Sequence, residues 1–203
     1  MGHGVLRRLA RPLRERPSVT DGQRTGHQFV TGSFRFLRSK GTTMHIRPFA
    51  DSDLQRLIGI TIQTFRPFYE GYVHPLLGDE VFRHQHGQWE QDYRDEVSTL
   101  HDPAAGRHVA VAQVGEAIAG YVSWRTDEKP NHGDIYLLAV SSPDRRRHVG
   151  RRLCLHAIQE MQANGVEVVG VGTGDDAFHA AARALYESLG FTKIPIAGYL
   201  KKV

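Results

Sequence analysis

The 203-residue chain has one cysteine, Cys154, so it can form no intramolecular disulfide and no Cys-rich zinc cluster. No apolar run approaches the roughly 20 residues of a membrane-spanning helix, and no apolar signal core precedes a small-residue cleavage site. Histidine is more plentiful. His84 and His86 stand at i and i+2 of a helical segment and so point to different faces, and neither they nor His101 fall into a ligand spacing. No metal is therefore expected. There is no internal repeat and no sign of a second folded domain. Net positive charge is missing over most of the chain: residues 1–43 hold nine basic and two acidic residues, a net +7, and the total of +4 leaves residues 44–203 at −3. The expectation is a soluble, cytoplasmic protein with no membrane and no nucleic-acid partner.

Residues 1–43 include Arg7, Arg8, Arg11, Arg14 and Arg16 and a Gly/Ser/Thr-rich stretch from Thr20 to Ser33, with little apolar periodicity. They read as an Arg-rich, disordered extension. The Arg content is like that of a transit peptide, but Val5, Leu6 and Leu9 are too few for an amphipathic face. Met44 immediately precedes the first strand-like segment, so the extension is read as the product of an upstream start or an appended sequence. Residues 44–203 are read as the folded domain.

The most informative stretch runs from Ser141 to Leu153 through Arg145, Arg146, Arg147, His148, Val149, Gly150, Arg151 and Arg152. An apolar strand, Gly133 to Val140, precedes it. Helical spacing of Leu153, Cys154, Ala157, Ile158 and Met161 follows, with Gly165 as the stop. A helix start offers N–H groups without intrahelical partners together with partial positive charge, and arginines add charge-assisted hydrogen bonds. Strand, basic turn and helix in that order read as a cradle for phosphate or pyrophosphate. The competing reading is a solvated basic patch or a nucleic-acid contact. Cys154 lies on the apolar stripe of the helix, where packing suits it better than reactivity.

The remaining pattern gives a first strand over His45–Pro48, then an N-cap signal at Asp51-Ser52-Asp53. A helix through Leu54, Leu57, Ile58, Thr61, Ile62 and Phe65 follows, ended by Pro67. A weaker helical region covers Asp79–Leu100. Strands over His108–Val114 and Ala117–Trp124 join at Gly115-Glu116, a hairpin signal. The near-continuous apolar run Val166–Gly172 reads as a strand covered on both faces. A last helix carries Phe178, Ala181, Ala182, Leu185 and Leu189 and stops at Gly190, and short strands over Thr192–Ile194 and Gly198–Lys202 finish the sheet.

Across residues 45–203 the chain resembles the GNAT superfamily of acyl-CoA-dependent N-acetyltransferases. Two motifs carry the resemblance. Arg145-Arg146-Arg147-His148-Val149-Gly150 matches the family's Gln/Arg-x-x-Gly-x-Gly/Ala loop, continued by Arg151-Arg152-Leu153. Ala182 to Phe191, with Leu185, Tyr186 and Gly190, matches Ala-x-x-Leu-Tyr-x-x-x-Gly-Phe. The resemblance implies an α/β fold with a mixed, mostly antiparallel sheet of six to seven strands flanked by about four helices. It also implies acetyl-CoA as cosubstrate and, by family habit, a homodimer. Two positions depart from the pattern: His148 replaces the first glycine, and His179 stands where many members have an asparagine that contacts CoA.

By the same resemblance the cofactor-binding residues are Leu138, Val140, Arg145, Arg146, Arg147, His148, Val149, Gly150, Arg151, His179 and Tyr186. The N–H of Leu138 would face the thioester carbonyl, and Val140 would bind the pantetheine arm. Tyr186 falls at the general-acid position, with a phenol of pKa about 10 serving a thiolate of about 8.5. Asp134 falls at a carboxylate that acts as general base in some members, through water or by orienting the amine. The acceptor-lining segment points to Phe68, Tyr69, Glu70, Trp89, Asp92 and Tyr93, with Asp175 and Asp176 before the last helix. An aromatic wall with carboxylates suits a cationic amine, such as a polyamine-like or aminoglycoside-like molecule. The expected activity is acetyl transfer to a small-molecule amine. Competing readings are a non-catalytic acyl-CoA sensor, acetylation of a peptide or protein amine, and nucleic-acid binding through the Arg-rich extension.

Overall fold

The computed structural model describes residues 43–126, 131–198 and 200. Nearly all of the extension assigned to residues 1–43 lies outside them. Alternating and continuous apolar runs form five strands: β1 (Met44–Pro48), β2 (Arg107–Val114), β3 (Ala117–Thr126), β4 (His132–Val140) and β5 (Val168–Val171). They pair in chain order, antiparallel from β1 to β4 and parallel between β4 and β5. Gly115 makes the β2–β3 hairpin possible at φ 62°.

A bulge in β4 determines what each face of the strand presents. Ser123 pairs with Leu137 and Trp124 with Ile135, which leaves Tyr136 as the extra residue. The alternation of side chains therefore shifts by one. Ile135 packs in the core beneath α4 (Val149–Ala163) and α5 (Ala180–Ser188), whereas Leu137 and Ala139 pack in the core beneath α1 (Leu54–Phe68). The sheet thus separates two apolar layers, and β4 contributes to both.

The apolar stripe of α1 is the expected one, with Leu57, Ile58, Thr61, Ile62 and Phe65 buried. Its end is not. Pro67 lies inside the helix, which continues through Phe68 into a π-helical turn, Tyr69–Val73, and on into α2 (His74–His86). Pro67 has no N–H to give the i→i−4 ladder, and the π-helical turn begins two residues after it. Gly78 kinks α2 at φ 72°, and a separate α3 (Trp89–Ser98) follows, so the single weak helical region is two helices.

Two expectations about the sheet are corrected. The described sheet has five strands, not six to seven. Thr192–Ile194 is irregular, because Pro195 removes a donor from an already short run and Ile194 stands 75% exposed. Gly198 and Leu200 are also irregular, while residues 199 and 201–203 of that expected strand lie outside the described residues. Nor is β5 covered on both faces: it has four residues, and Val168 is 58% exposed. No helix among the described residues is long and apolar enough to cross a membrane.

Candidate acyl-transfer site

The site begins where β4 outruns its neighbour. β5 pairs with His132–Ile135 and ends at Val171, but β4 continues to Val140. Leu137–Val140 therefore have no ladder partner on the β5 side among the described residues. Leu138 and Val140 lie on this open stretch. Their side chains pack in the α4 layer, where a Cβ at Gly150 would lie 3.8 Å from Leu138, 3.7 Å from Val140 and 3.4 Å from Leu185. That spacing admits glycine or alanine and little more.

The chain leaves β4 through a built turn. The Ser141 N–H donates to Ala119 O at 2.8 Å and its hydroxyl to Asp144 Oδ2 at 2.8 Å. Arg146 at φ 59° and His148 at φ 61° take left-handed conformations before α4 starts at Val149. His148 thus adopts the backbone of a glycine at a cost of about 1 kcal/mol. No side chain caps α4, so its first N–H groups point out of the turn. Three arginines are anchored. Arg145 donates to Val140 O at 3.2 Å and to Thr64 Oγ1 at 3.4 Å, Arg147 pairs with Asp144 at 3.0 Å, and Arg151 reaches Ser188 Oγ at 3.3 Å. Arg146 and Arg152 pair with none of the described residues, so their charge is free for an anion. An uncapped helix start ringed by guanidinium groups, with one local carboxylate, fits a pyrophosphate.

Behind the turn, Tyr186 packs in the α4 layer with Phe191 edge-on at 6.0 Å. Burial, then the neighbouring Cys154, raises its phenol well above the usual tyrosine range. Its proton is thus held at every working pH, and giving it to a thiolate is more uphill than the unperturbed value implies. Gly190 at φ 90° closes α5, with the Phe191 N–H donating to Tyr186 O at 3.1 Å. Burial pushes the Cys154 thiol up to about 12.

Asp134 stands on the other face, where Arg125 donates to its Oδ2 at 3.2 Å and Oδ1 lies close over Gly170. Arg125 also lies over the Tyr136 ring at 5.2 Å, and the Tyr136 hydroxyl donates to Glu96 Oε1 on α3. Arg125, Tyr136 and Glu96 were not among the sequence candidates. Only the bulge, which has no sequence signature, turns Tyr136 toward α3.

The expected aromatic wall exists largely as core. Tyr69 and Trp89 stack at 4.8 Å, Phe65 and Tyr93 at 5.0 Å, and Tyr69, Trp89 and Tyr93 are buried. Burial, then the charge of Tyr69, raises the Tyr93 phenol strongly. Phe68 is half-buried and meets Tyr72, Phe178 and His179. Glu70 pairs with Arg66 at 2.7 Å, and Asp92 is exposed on α3. Asp175 is paired with Lys193 at 2.6 Å, and Asp176 with His179 at 2.7 Å.

The family model described as Acetyltransferase (GNAT) family matches residues 61–191, a span that includes both the arginine turn and α5. The chain belongs to the GNAT family. A Bacillus subtilis (strain 168) protein described as the uncharacterized N-acetyltransferase YsnE is 31% identical over 87 residues, covering 38% of this chain and 58% of that protein. The chain therefore matches little more than half the length of that curated relative. Among solved structures, PaiA N-acetyltransferase from Thermoplasma acidophilum in complex with coenzyme A superposes with a TM-score of 0.57 at 15% identity, covering 77% of this chain and 94% of that one. Aminoglycoside N-acetyltransferase AAC(6')-Iy in complex with CoA gives a TM-score of 0.58 at 14% identity, covering 82% and 99%. At such identities the likeness is one of fold.

The two departures from the GNAT motifs have different structural outcomes. His148 keeps the turn by taking a left-handed backbone, with its side chain exposed. His179 sits at the N-cap of α5, half-buried and bound to Asp176.

Proposed function

We propose that this GNAT-family chain moves an acetyl group from acetyl-CoA to the primary amine of a small molecule, by direct attack while both substrates are bound. The observation that carries the reading is the open stretch of β4 from Leu137 to Val140, which runs directly into the uncapped arginine turn. Backbone donors on a free strand edge suit an extended amide-bearing arm, and the turn suits the pyrophosphate at its end.

Bound acetyl-CoA supplies the thioester carbonyl and a thiolate leaving group. Val149, Gly150 and Arg151 offer first-turn N–H groups to the pyrophosphate, and Arg145, Arg146, Arg147 and His148 surround them. Leu138 offers its N–H to the oxygen that gains charge, and Val140 steadies the arm. Tyr186 holds the proton that the sulfur takes up. Asp134, engaged by Arg125, orients the amine rather than deprotonating it unaided. Phe68, with Glu70 and Asp92 near its helical neighbours, contributes the acceptor side. Tyr69, Trp89 and Tyr93 support that side from the core.

The acidic balance of residues 44–203 favours a polycationic acceptor, of the polyamine or aminoglycoside class. The experiment that tests the function is acetyl-CoA titration by thermal shift, followed by thiol release with aminoglycosides, polyamines and amino acids. A shift with thiol release on one amine class is the expected result. A shift with no release on any amine would favour an acyl-CoA-binding sensor, and no shift would overturn the reading.

A further inference from the structure

The connection from β5 to α5 brings side chains to both apolar layers. α5 packs in one layer, yet Phe178 and His179 at its start reach the aromatic rings of the other. Phe178 lies 6.3 Å from Phe65 and 5.3 Å from Phe68, and the His179 ring meets Phe68 edge-on at 4.7 Å. His179 therefore stands beside Phe68, on the side proposed to hold the acceptor.

Its ring is fixed in place. Nδ1 lies 2.7 Å from Asp176 Oδ2, the His179 backbone N–H donates to Asp176 Oδ1 at 3.1 Å, and Phe178 flanks it at 4.9 Å. The loop that carries Asp176 is clamped as well: Arg183 donates to Gly174 O at 2.7 Å and to Asp176 O at 2.6 Å. Gly174 closes over the pair, since any side chain there would collide with both Asp176 Oδ2 and His179 Nδ1. A carboxylate facing Nδ1 leaves that nitrogen only the donor role, so the neutral ring carries its lone pair on Nε2. None of the described residues engages Nε2. Among the other candidate carboxylates, Asp134 is engaged by Arg125, Glu96 by Tyr136, Asp175 by Lys193 and Arg183, and Glu70 by Arg66, whereas Asp92 lies exposed on α3.

We propose that His179, oriented by Asp176, is the base that takes the proton from the acceptor's ammonium group. The assignment rests on the acetyltransferase reading above. One N–H bond of the ammonium breaks, its electron pair stays on nitrogen as the attacking lone pair, and the proton bonds to Nε2. Asp176 balances the imidazolium through Nδ1–H, and the ring then releases the proton to water. The second proton, shed as the amide forms, balances the one that Tyr186 gives to the sulfur, so each turnover releases one proton to solvent. The charged groups around His179 are few. Asp176 faces it directly, Arg183 and Asp175 lie one contact further on, and α1 presents the Phe68 ring, which stacks with Tyr72.

The test begins without substrate. Nitrogen-15 NMR of the wild-type protein should show His179 as the Nδ1–H tautomer, and D176N should lose that preference. An Nε2–H tautomer in the wild type would overturn the proposal whatever the activity. With acetyl-CoA and an amine that supports thiol release, the acid limb of the kcat/KM profile should follow the NMR titration of His179. H179Q should lower kcat/KM about 100-fold or more and lose that limb, with its CoA-dependent thermal shift retained. H179A should recover part of its rate with added imidazole. An unchanged acid limb in H179Q, or loss of the CoA shift in place of the limb, would overturn the proposal. Activity kept in H179Q but lost in Y186F sinks the base and leaves the acetyltransferase standing; no thiol release by wild type on any amine sinks both.

Discussion

Tyr186 is the proposed proton donor, and burial raises the pKa of its hydroxyl. Y186F should lower kcat by about 100-fold while the stabilisation by CoA remains, a split read by steady-state kinetics beside a thermal shift. Asp134 differs because its carboxylate is already tied to Arg125. D134N should lower turnover less than Y186F does, and equal losses in the two variants would mean that Asp134 handles the proton itself. His148 holds a left-handed backbone that glycine adopts freely. H148G removes about 1 kcal/mol of strain but restores a similar unfolded-state entropy, so stability should change by about 0.5 kcal/mol or less. CoA should bind several-fold more tightly once the side chain no longer stands beside the free N–H groups. Calorimetric titration of CoA into both proteins reads this directly.

Among the elements, β3 controls the open stretch of β4 through Gly120. A Cβ there would sit 2.7 Å from Ala139 O and 3.1 Å from Val140 Cα, backbone atoms that cannot swing away. G120A should cost about 1–3 kcal/mol in denaturant unfolding and should weaken CoA binding, because the strand it displaces is the one proposed to hold the pantetheine arm. The elements legible in the sequence were those with a local period or punctuation. The Gly115-Glu116 hairpin, the α1 stripe, the glycine stops at Gly165 and Gly190 and the arginine turn all fall in this class. The π-helical turn after Pro67, the bulge at Tyr136 and the irregular course of Thr192–Ile194 were not legible, since each depends on what lies across the sheet or on which edge remains free. The same division holds in the candidate site. Arg145–Arg151 and Tyr186 come from contiguous motifs. The link from Asp134 through Arg125 and Tyr136 to Glu96 joins four separate places in the chain and has no sequence pattern.

At the scale of the whole molecule, β1 is tied to the start of α1 by Arg47 and Asp53, with two hydrogen bonds of 2.7 and 2.8 Å and the Ala50 N–H donating to Asp53 at 2.9 Å. The Arg47 hydrogen bonds pull the Asp53 carboxyl below its ordinary value, and they outweigh a smaller upward push from burial. A folded-state value lowered in this way contributes stability that is complete above the unfolded carboxylate pKa of about 3.9 and is lost as pH falls through the folded value. D53N should therefore unfold about 1–3 kcal/mol more easily near neutrality. The difference should shrink below about pH 4, as followed by urea denaturation across pH.

Cys154 has a consequence for anyone measuring this molecule. Its side chain is fully buried and its thiol is pushed up to about 12, while no other cysteine exists in the chain. A thiol-specific dye added to native protein should stay colourless until a thiol comes from another source. Colour that develops with enzyme alone would then count unfolded molecules, so one reagent gives both the turnover signal and a check on the integrity of the preparation.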